Sequence, residues 1–511
     1  MKKRWFRRLL ERRILVILLL LGQLIFLIGL IQSSSQTYRV INWVLTAVSI
    51  GVALYIISKK DKGAFKLTWI MLILIFPLFG GLLYLIFNFQ TSTRRFSASI
   101  EKAEKKAAPL FILPGDGYAQ AKEAIPDEMP QISYLQNFAG FPVYTGTTTK
   151  YLSPGERKWE ALLTELEKAE KYIFLEYFIV QEGVMWDSIL EILKRKAAEG
   201  VLVRLIYDDM GCFFLLPKDY PKQLRRFGIE CAVFNPFRPF LAGEQNNRDH
   251  RKIVSIDGKV AFTGGINLAD EYINAIDKHG HWKDASIRLD GKAAWSFTLI
   301  FLQSWAHCTK TDEDFMQFYP WKDAPPPDTY DGFVQPYADS PMDADNVGEH
   351  VYLQIIGNAK KYVYINTPYL IIDDSMISAL TLAAKSGVDV RIVTPYRGDK
   401  WWVHMTTRSY YRELIRSGVK IYEYKNGFIH SKTFVSDDQV ATVGTTNLDF
   451  RSLYLHFECG VRLSGSRAVT EVKEDFLETL DVCKAITADA CRYNIVIRTI
   501  QDILRLFAPL M

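Results

Sequence analysis

The sequence predicts an α/β protein: two similar halves that meet at one site, preceded by transmembrane helices. Two repeats and one bias carry this. The stretch His250-Arg-Lys252-Ile-Val-Ser-Ile-Asp257 recurs as His430-Ser-Lys432-Thr-Phe-Val-Ser-Asp437, and each copy leads to a glycine turn and an Asn, Gly264-Gly265-Ile266-Asn267 and Gly444-Thr445-Thr446-Asn447. With only 8 His in the chain, one chance copy of that spacing is rare, and two with matching tails are not accidental. The strands and helices around the motif also recur in order. The bias lies at the start of the chain, which is almost wholly basic or apolar.

Taken in order, residues 1 to 13 hold Lys2, Lys3, Arg4, Arg7, Arg8, Arg12 and Arg13 against a single acid, Glu11. Such a cluster anchors at an anionic cytoplasmic leaflet. Three apolar runs follow, 14–31, 40–58 and 67–87, each close to the roughly 20 residues that cross a bilayer as a helix. Residues 1–89 are therefore expected to be a membrane anchor of three spans, the third weakened by Pro77 and Gly80-Gly81, which suit a re-entrant hairpin as well. Lys59, Lys60, Lys62 and Lys66 between the second and third runs, with the basic N-terminus, place both segments inside. The bulk of the chain then lies outside the cytoplasm, although Arg94, Arg95, Lys102, Lys105 and Lys106 beyond the third run pull the other way.

A mixed connector, 90–150, leads to the first half, 151–310. Ser153-Pro154-Gly155-Glu156 reads as a capping box opening the amphipathic run Trp159 to Ala169. Strand Tyr172 to Val180, helix Trp186 to Ala198 and strand Val201 to Tyr207 follow, the alternation of an α/β sheet. A linker with Pro325-Pro326-Pro327 spans 311–344, and the second half, 345–511, repeats the order. Lys171-Tyr-Ile-Phe-Leu matches Lys361-Tyr-Val-Tyr-Ile, Arg226-Phe-Gly-Ile-Glu matches Arg416-Ser-Gly-Val-Lys, and Asp284-Ala-Ser-Ile-Arg-Leu-Asp-Gly matches Glu458-Cys-Gly-Val-Arg-Leu-Ser-Gly. The simplest packing is a pseudo-two-fold pair with the motifs facing one site. The tail Ile495 to Met511 reads as an amphipathic helix suited equally to the catalytic part and to a membrane surface.

The net charge of +5 is too modest, and its basic residues too scattered, for a nucleic-acid-binding track. Six cysteines without CxxC spacing indicate packed thiols, not a zinc site or a disulfide framework.

The doubled His-x-Lys-x4-Asp motif resembles that of the phospholipase D superfamily, and the resemblance covers nearly all of the chain beyond the anchor. With the apolar N-terminus, the run Asn447-Leu-Asp-Phe-Arg-Ser-Leu-Tyr-Leu-His-Phe-Glu458 and Phe507-Ala-Pro-Leu, the chain is similar to bacterial cardiolipin synthases. The resemblance implies phospholipase D-type α/β/α halves and a phosphatidyltransferase of the cell membrane. Phosphatidylglycerol and membrane lipids would be its partners, with no nucleic acid, and no metal or cofactor is expected; it leaves the oligomeric state open.

Moving a phosphatidyl group between alcohols needs a nucleophile, an acid for the leaving alkoxide and donors for the phosphoryl oxygens. His250, His430, Lys252 and Lys432, with Asn267 and Asn447, supply this set, one imidazole attacking phosphorus while the other handles protons, and Asp257 and Asp437 complete the two catalytic motifs. Symmetry does not choose between the histidines; family habit favours His250. Lys252 and Lys432, with Asn267, Asn447, Gly265 and Thr445, would bind phosphate, and the aligned Asp284 and Glu458 would orient the imidazoles. Asp257 and Asp437 are expected to stabilise their loops. The remaining histidines, His279, His281, His307, His350, His404 and His456, lack the register and read as structural or surface residues. Phe213-Phe214-Leu215-Leu216, Phe234 to Leu241 and Trp401-Trp402 suit core packing or an apolar rim toward lipid. Competing readings are a membrane-bound phospholipase D hydrolase, another phosphatidyltransferase, a nuclease of the same superfamily, or an inactive membrane scaffold.

Overall fold

The computed structural model describes residues 36–76, 80–81, 84–85, 91–237, 243–323 and 325–510. The chain divides into two compact units, Met1–Ser97 with Phe237–Asn246 and Asp502–Met511, and Ala98–Pro236 with Asn247–Gln501.

In the first unit, helices Gln36–Ser58 and Gly63–Ile75 pack through Val52, Ile56 and Ile73, with Tyr84 joining that small core. Among the described residues no helix is long and apolar enough to cross a membrane, which departs from the expected three spans. The 14–31 run lies outside the described residues. The 40–58 run falls within helix Gln36–Ser58, which opens on polar Gln36 and Arg39. The 67–87 run is not one helix, because helix Gly63–Ile75 stops at Phe76, whose ψ of 70° leaves the helical region. Pro77 follows, and a residue before proline is driven from helical backbone by the pyrrolidine ring. Those 13 residues rise about 20 Å, short of the ~30 Å hydrocarbon core.

The second unit holds two sheets built on the same plan. The first comprises β1 (Thr147–Leu152), β2 (Tyr172–Tyr177), β3 (Leu202–Asp208), β4 (Glu230–Phe234), β5 (Lys252–Ile256), β6 (Val260–Gly264) and β8 (Ser286–Gly291), in the order β1-β8-β6-β5-β2-β3-β4; β7 (His281–Lys283) lies apart from it. The second comprises β9 (Phe333–Asp339), β10 (Tyr362–Asn366), β12 (Asp389–Pro395), β13 (Lys420–Tyr424), β15 (Thr433–Ser436), β16 (Val440–Gly444), β18 (Glu458–Ser464) and β19 (Cys483–Ile486), in the order β19-β13-β12-β10-β15-β16-β18-β9; β11 (Leu370–Ile371) and β17 (Leu448–Asp449) pair with each other apart from it. Without β19, which closes one edge, strand follows strand identically in the two sheets. Pairs β2–β3 and β3–β4 are parallel, as are β10–β12 and β12–β13, while the motif strands β5 and β15 enter antiparallel. Every residue of β2, β5, β10 and β15 is buried, as expected of central strands covered on both faces.

Local differences from the sequence reading have identifiable causes. Ser153 does not cap the helix, which runs Gly155–Leu166 with Pro154 at its N-cap position; its hydroxyl donates instead to Asp475 Oδ1 at 2.9 Å. The expected linker contains β9, an edge strand, where Pro336 costs the sheet no interior hydrogen bond. Helices Thr91–Ala107 and Met129–Asn137 fall in the expected connector.

The halves are stitched by backbone as well as by side chains. β7 pairs in parallel with β14 (Gly427–Ile429), and Asp249 bridges Phe457. His250 N donates to Phe457 O at 2.9 Å, and His430 N donates to Lys283 O at 2.7 Å. Each motif histidine is thus pinned by main chain of the opposite half.

Candidate active site

The two motifs converge at this seam. His250 lies two residues before the motif strand β5 and His430 three before β15, and both are buried, 7% and 6% exposed. Their carboxylate partners come from across the seam. His250 Nδ1 lies 2.9 and 3.0 Å from the oxygens of Glu458, the first residue of β18. His430 Nδ1 lies 2.6 Å from Asp284 Oδ2, just before β8. The sequence reading nominated one carboxylate per half; the fold pairs each with the histidine of the other half.

The residues after each glycine turn shape these pairs. A Cβ on Gly265 would sit 2.1 Å from Asp284 Oδ1, so only glycine leaves space for that carboxylate. In the second half Thr445 stands at the equivalent place, and its hydroxyl donates to Glu458 Oε2. Gly265 and Thr445 therefore both serve the carboxylates directly. Asn267 accepts from Ile179 N at 3.0 Å and donates to the Tyr272 hydroxyl at 2.7 Å. Asn447 is buried, with its Oδ1 unpartnered among the described residues.

Lys252 Nζ donates to the carbonyl of His250 at 2.5 Å, and Lys432 Nζ donates to that of His430. Lys432 Nζ also lies 2.9 Å from His430 Nδ1. Asp257 and Asp437 point away from this cluster. Each holds a left-handed turn residue position, φ 51° and 56°, and accepts from three successive amides: Glu170, Lys171 and Tyr172 in one half, Lys360, Lys361 and Tyr362 in the other. They tie the motif hairpins to β2 and β10.

Burial dominates the electrostatics. Desolvation, reinforced by Lys252 and Lys432, drives His250 well below the usual imidazole range, and desolvation with Lys432 lowers His430 to about 4. Desolvation also lowers Lys252 to about 8 and Lys432 to about 7. The carboxylates differ. Desolvation pushes Glu458 up to about 7, whereas at Asp284 the same burial is outweighed by His430 and Lys432, and its pKa falls below the ordinary value. Without substrate both imidazoles are neutral at pH 7.

Of the six histidines outside the motifs, His281 bonds Tyr424, His350 bonds Tyr134, and His307 and His404 are lowered by desolvation to about 3 and about 4. His279 contacts Trp282 and Phe428. His456 is the exception: its ring centroid lies 5.6 Å from that of His250, beside the site. The only sequence signal for it was its place two residues before Glu458.

A family model described as cardiolipin synthase, phospholipase D-like domain, matches residues 162–278 and 352–480, and a phospholipase D-nuclease N-terminal model matches 47–87. A cardiolipin synthase of Halalkalibacterium halodurans is 34% identical over 91% of this chain and 92% of its own length. The chain belongs to the cardiolipin synthase family. A cardiolipin synthase of Geobacillus thermodenitrificans is 35% identical over 92% of this chain and 93% of its own, and an uncharacterised protein of Streptococcus mutans is 42% identical over 90% and 100%. Among solved structures, a phosphatidylserine synthase of Haemophilus influenzae superposes with a TM-score of 0.56 at 13% identity, covering 73% of this chain and 96% of that one, which shows a shared fold.

Proposed function

We propose that the chain is a cardiolipin synthase that transfers a phosphatidyl group from one phosphatidylglycerol to another, releasing glycerol. The two buried histidines, each with a carboxylate on Nδ1, carry this reading. A carboxylate on Nδ1 fixes the proton there and leaves the Nε2 lone pair for chemistry. One imidazole attacks phosphorus, the phosphorus–oxygen bond to glycerol breaks, and the departing alkoxide takes a proton from the other imidazole, charged once the phosphodiester anion is bound. That second imidazole, now neutral, takes the proton of an incoming phosphatidylglycerol hydroxyl, which attacks the phosphohistidine and breaks its phosphorus–nitrogen bond. Lys252, Lys432, Asn267 and Asn447 are assigned to the phosphoryl oxygens, where each missing donor costs about 2.7–4 kcal/mol of barrier.

The membrane assignment rests on the apolar runs of the first 89 residues and the basic clusters that flank them. We infer a multi-pass anchor that holds Lys59, Lys60, Lys62 and Lys66 on the cytoplasmic side; the catalytic part lies outside the cytoplasm if the 67–87 segment, which is not one helix, completes a crossing. Labelling of cysteines introduced after residue 90 in intact cells checks it; protection from an impermeant reagent reverses the sidedness.

The activity is tested by supplying the purified protein with phosphatidylglycerol vesicles and following cardiolipin and glycerol by mass spectrometry. Equimolar cardiolipin and glycerol are expected. Accumulation of phosphatidic acid instead would make the protein a hydrolase.

A further inference from the structure

His456 is a partly buried imidazole with both ring nitrogens enclosed, and the proposed reaction has no use for it. Its side chain is 11% exposed, and neither ring nitrogen has a hydrogen-bond partner among the described residues. Leaving a buried polar group unpaired costs roughly 1–3 kcal/mol, so two orphan nitrogens on one ring call for a ligand. The ring is held in place by its backbone, since His456 N donates to Arg451 O at 2.8 Å and the neighbouring Phe457 pairs with Arg248 and His250. It faces the first catalytic dyad: its Nδ1 is 4.0 Å from Glu458 Oε1, itself 2.9 Å from His250 Nδ1.

We infer that His250, His456 and Glu458 form a binding site for a divalent transition-metal ion of the zinc class, and that its occupation shuts the enzyme down. One ligand atom from each residue lies within 4.8 Å of the others. Tetrahedral zinc at about 2.0–2.1 Å from each ligand needs donors roughly 3.4 Å apart. Rotamer adjustments of an ångström close that gap. Two imidazoles and one carboxylate with a fourth position open are a usual zinc donor set.

The inhibition rests on the two-histidine mechanism proposed above. A cation on His250 Nδ1 displaces the Glu458 hydrogen bond and moves the ring proton to Nε2. The lone pair needed for attack or for proton transfer is then gone. The same ion is thus an off-switch and no part of the turnover.

The test titrates zinc chloride into metal-stripped, full-length protein by calorimetry, repeats it with cobalt(II) as a visible-absorption probe, and assays cardiolipin formation alongside. One ion per chain, reversible inhibition and full recovery with EDTA are expected. The variant His456→Gln should keep basal activity while binding and inhibition weaken roughly 100-fold or more, beyond the effect of losing an outer-shell partner. His456→Cys, which restores a metal ligand, should regain both. Zinc binding and inhibition unchanged in His456→Gln, or no binding to the wild type, overturns the site. Should the wild type make no cardiolipin, the proposed function fails, while calorimetry and the cobalt spectrum still report on the metal.

Discussion

Asp284, in the first half, accepts the Nδ1 proton of His430, in the second, across 2.6 Å and 146 residues of sequence. Its other oxygen accepts from Ala285 N at 2.8 Å, so the carboxylate is aimed before any substrate arrives. Replacing it by Asn keeps the shape but offers a donor where an acceptor is needed, which favours the wrong tautomer. Asp284→Asn is expected to lower turnover by about 10³–10⁴ with little change in melting temperature. Wild-type rates in single-turnover assays would remove Asp284 from the mechanism.

Gly265 tests the same pair from the side of space. Alanine there would place a methyl against the Asp284 carboxylate, so Gly265→Ala is expected to cost at least ~100-fold in rate, the scale of a 1 Å misplacement. Gly357 lies in helix Val347–Asn358 with nothing near a built Cβ, and Gly357→Ala should leave the rate unchanged. Equal effects of the two substitutions would argue against a steric cause.

The hairpin aspartates predict stability and not chemistry. Asp257→Ala removes a carboxylate that satisfies three backbone amides, two of them only part-buried, and is expected to cost about 2–4 kcal/mol in urea unfolding. Asp437→Ala should cost less, because two of the amides it serves are exposed and water replaces the carboxylate there. Activity measured well below the unfolding midpoint should persist in both; its abolition would give the aspartates a direct role.

The buried lysines set an alkaline limit. Lys432 and Lys252, at about 7 and about 8, bear charge below those values and lose it above them. The free enzyme's kcat/KM for phosphatidylglycerol should therefore fall as pH rises through 7 to 8. Lys432→Arg, which stays charged, should move that limb upward wherever it retains activity. A profile flat to pH 9 would mean that substrate does not rely on their charge.

Much of this could be read in the chain beforehand. The duplicated strand order was legible because each half carries the same apolar runs at the same spacing, and β2 and β3 begin within a residue of their expected starts. The crossing of the carboxylates was not, since a sequence repeat shows equivalence between Asp284 and Glu458 without saying which histidine each reaches. Ser153 misled because a capping box is a local pattern, and here a tertiary partner, Asp475, takes its hydroxyl. The 67–87 run misled because hydropathy counts residues without weighing Pro77's effect on Phe76. His456 was passed over because a lone histidine has no register to lift it; only the fold brings it beside His250.

The crossing of the seam also bears on how such a chain can be cut, copied or mixed. Neither half carries a working dyad of its own, since each histidine's carboxylate is encoded 146 or 208 residues away in the other. A gene fragment for one half would express an incomplete catalyst, whereas two fragments produced together could regain function only by docking. Substitutions along the seam must then be accommodated jointly, so chimaeras that exchange one half between relatives will fail or succeed according to the partner it meets.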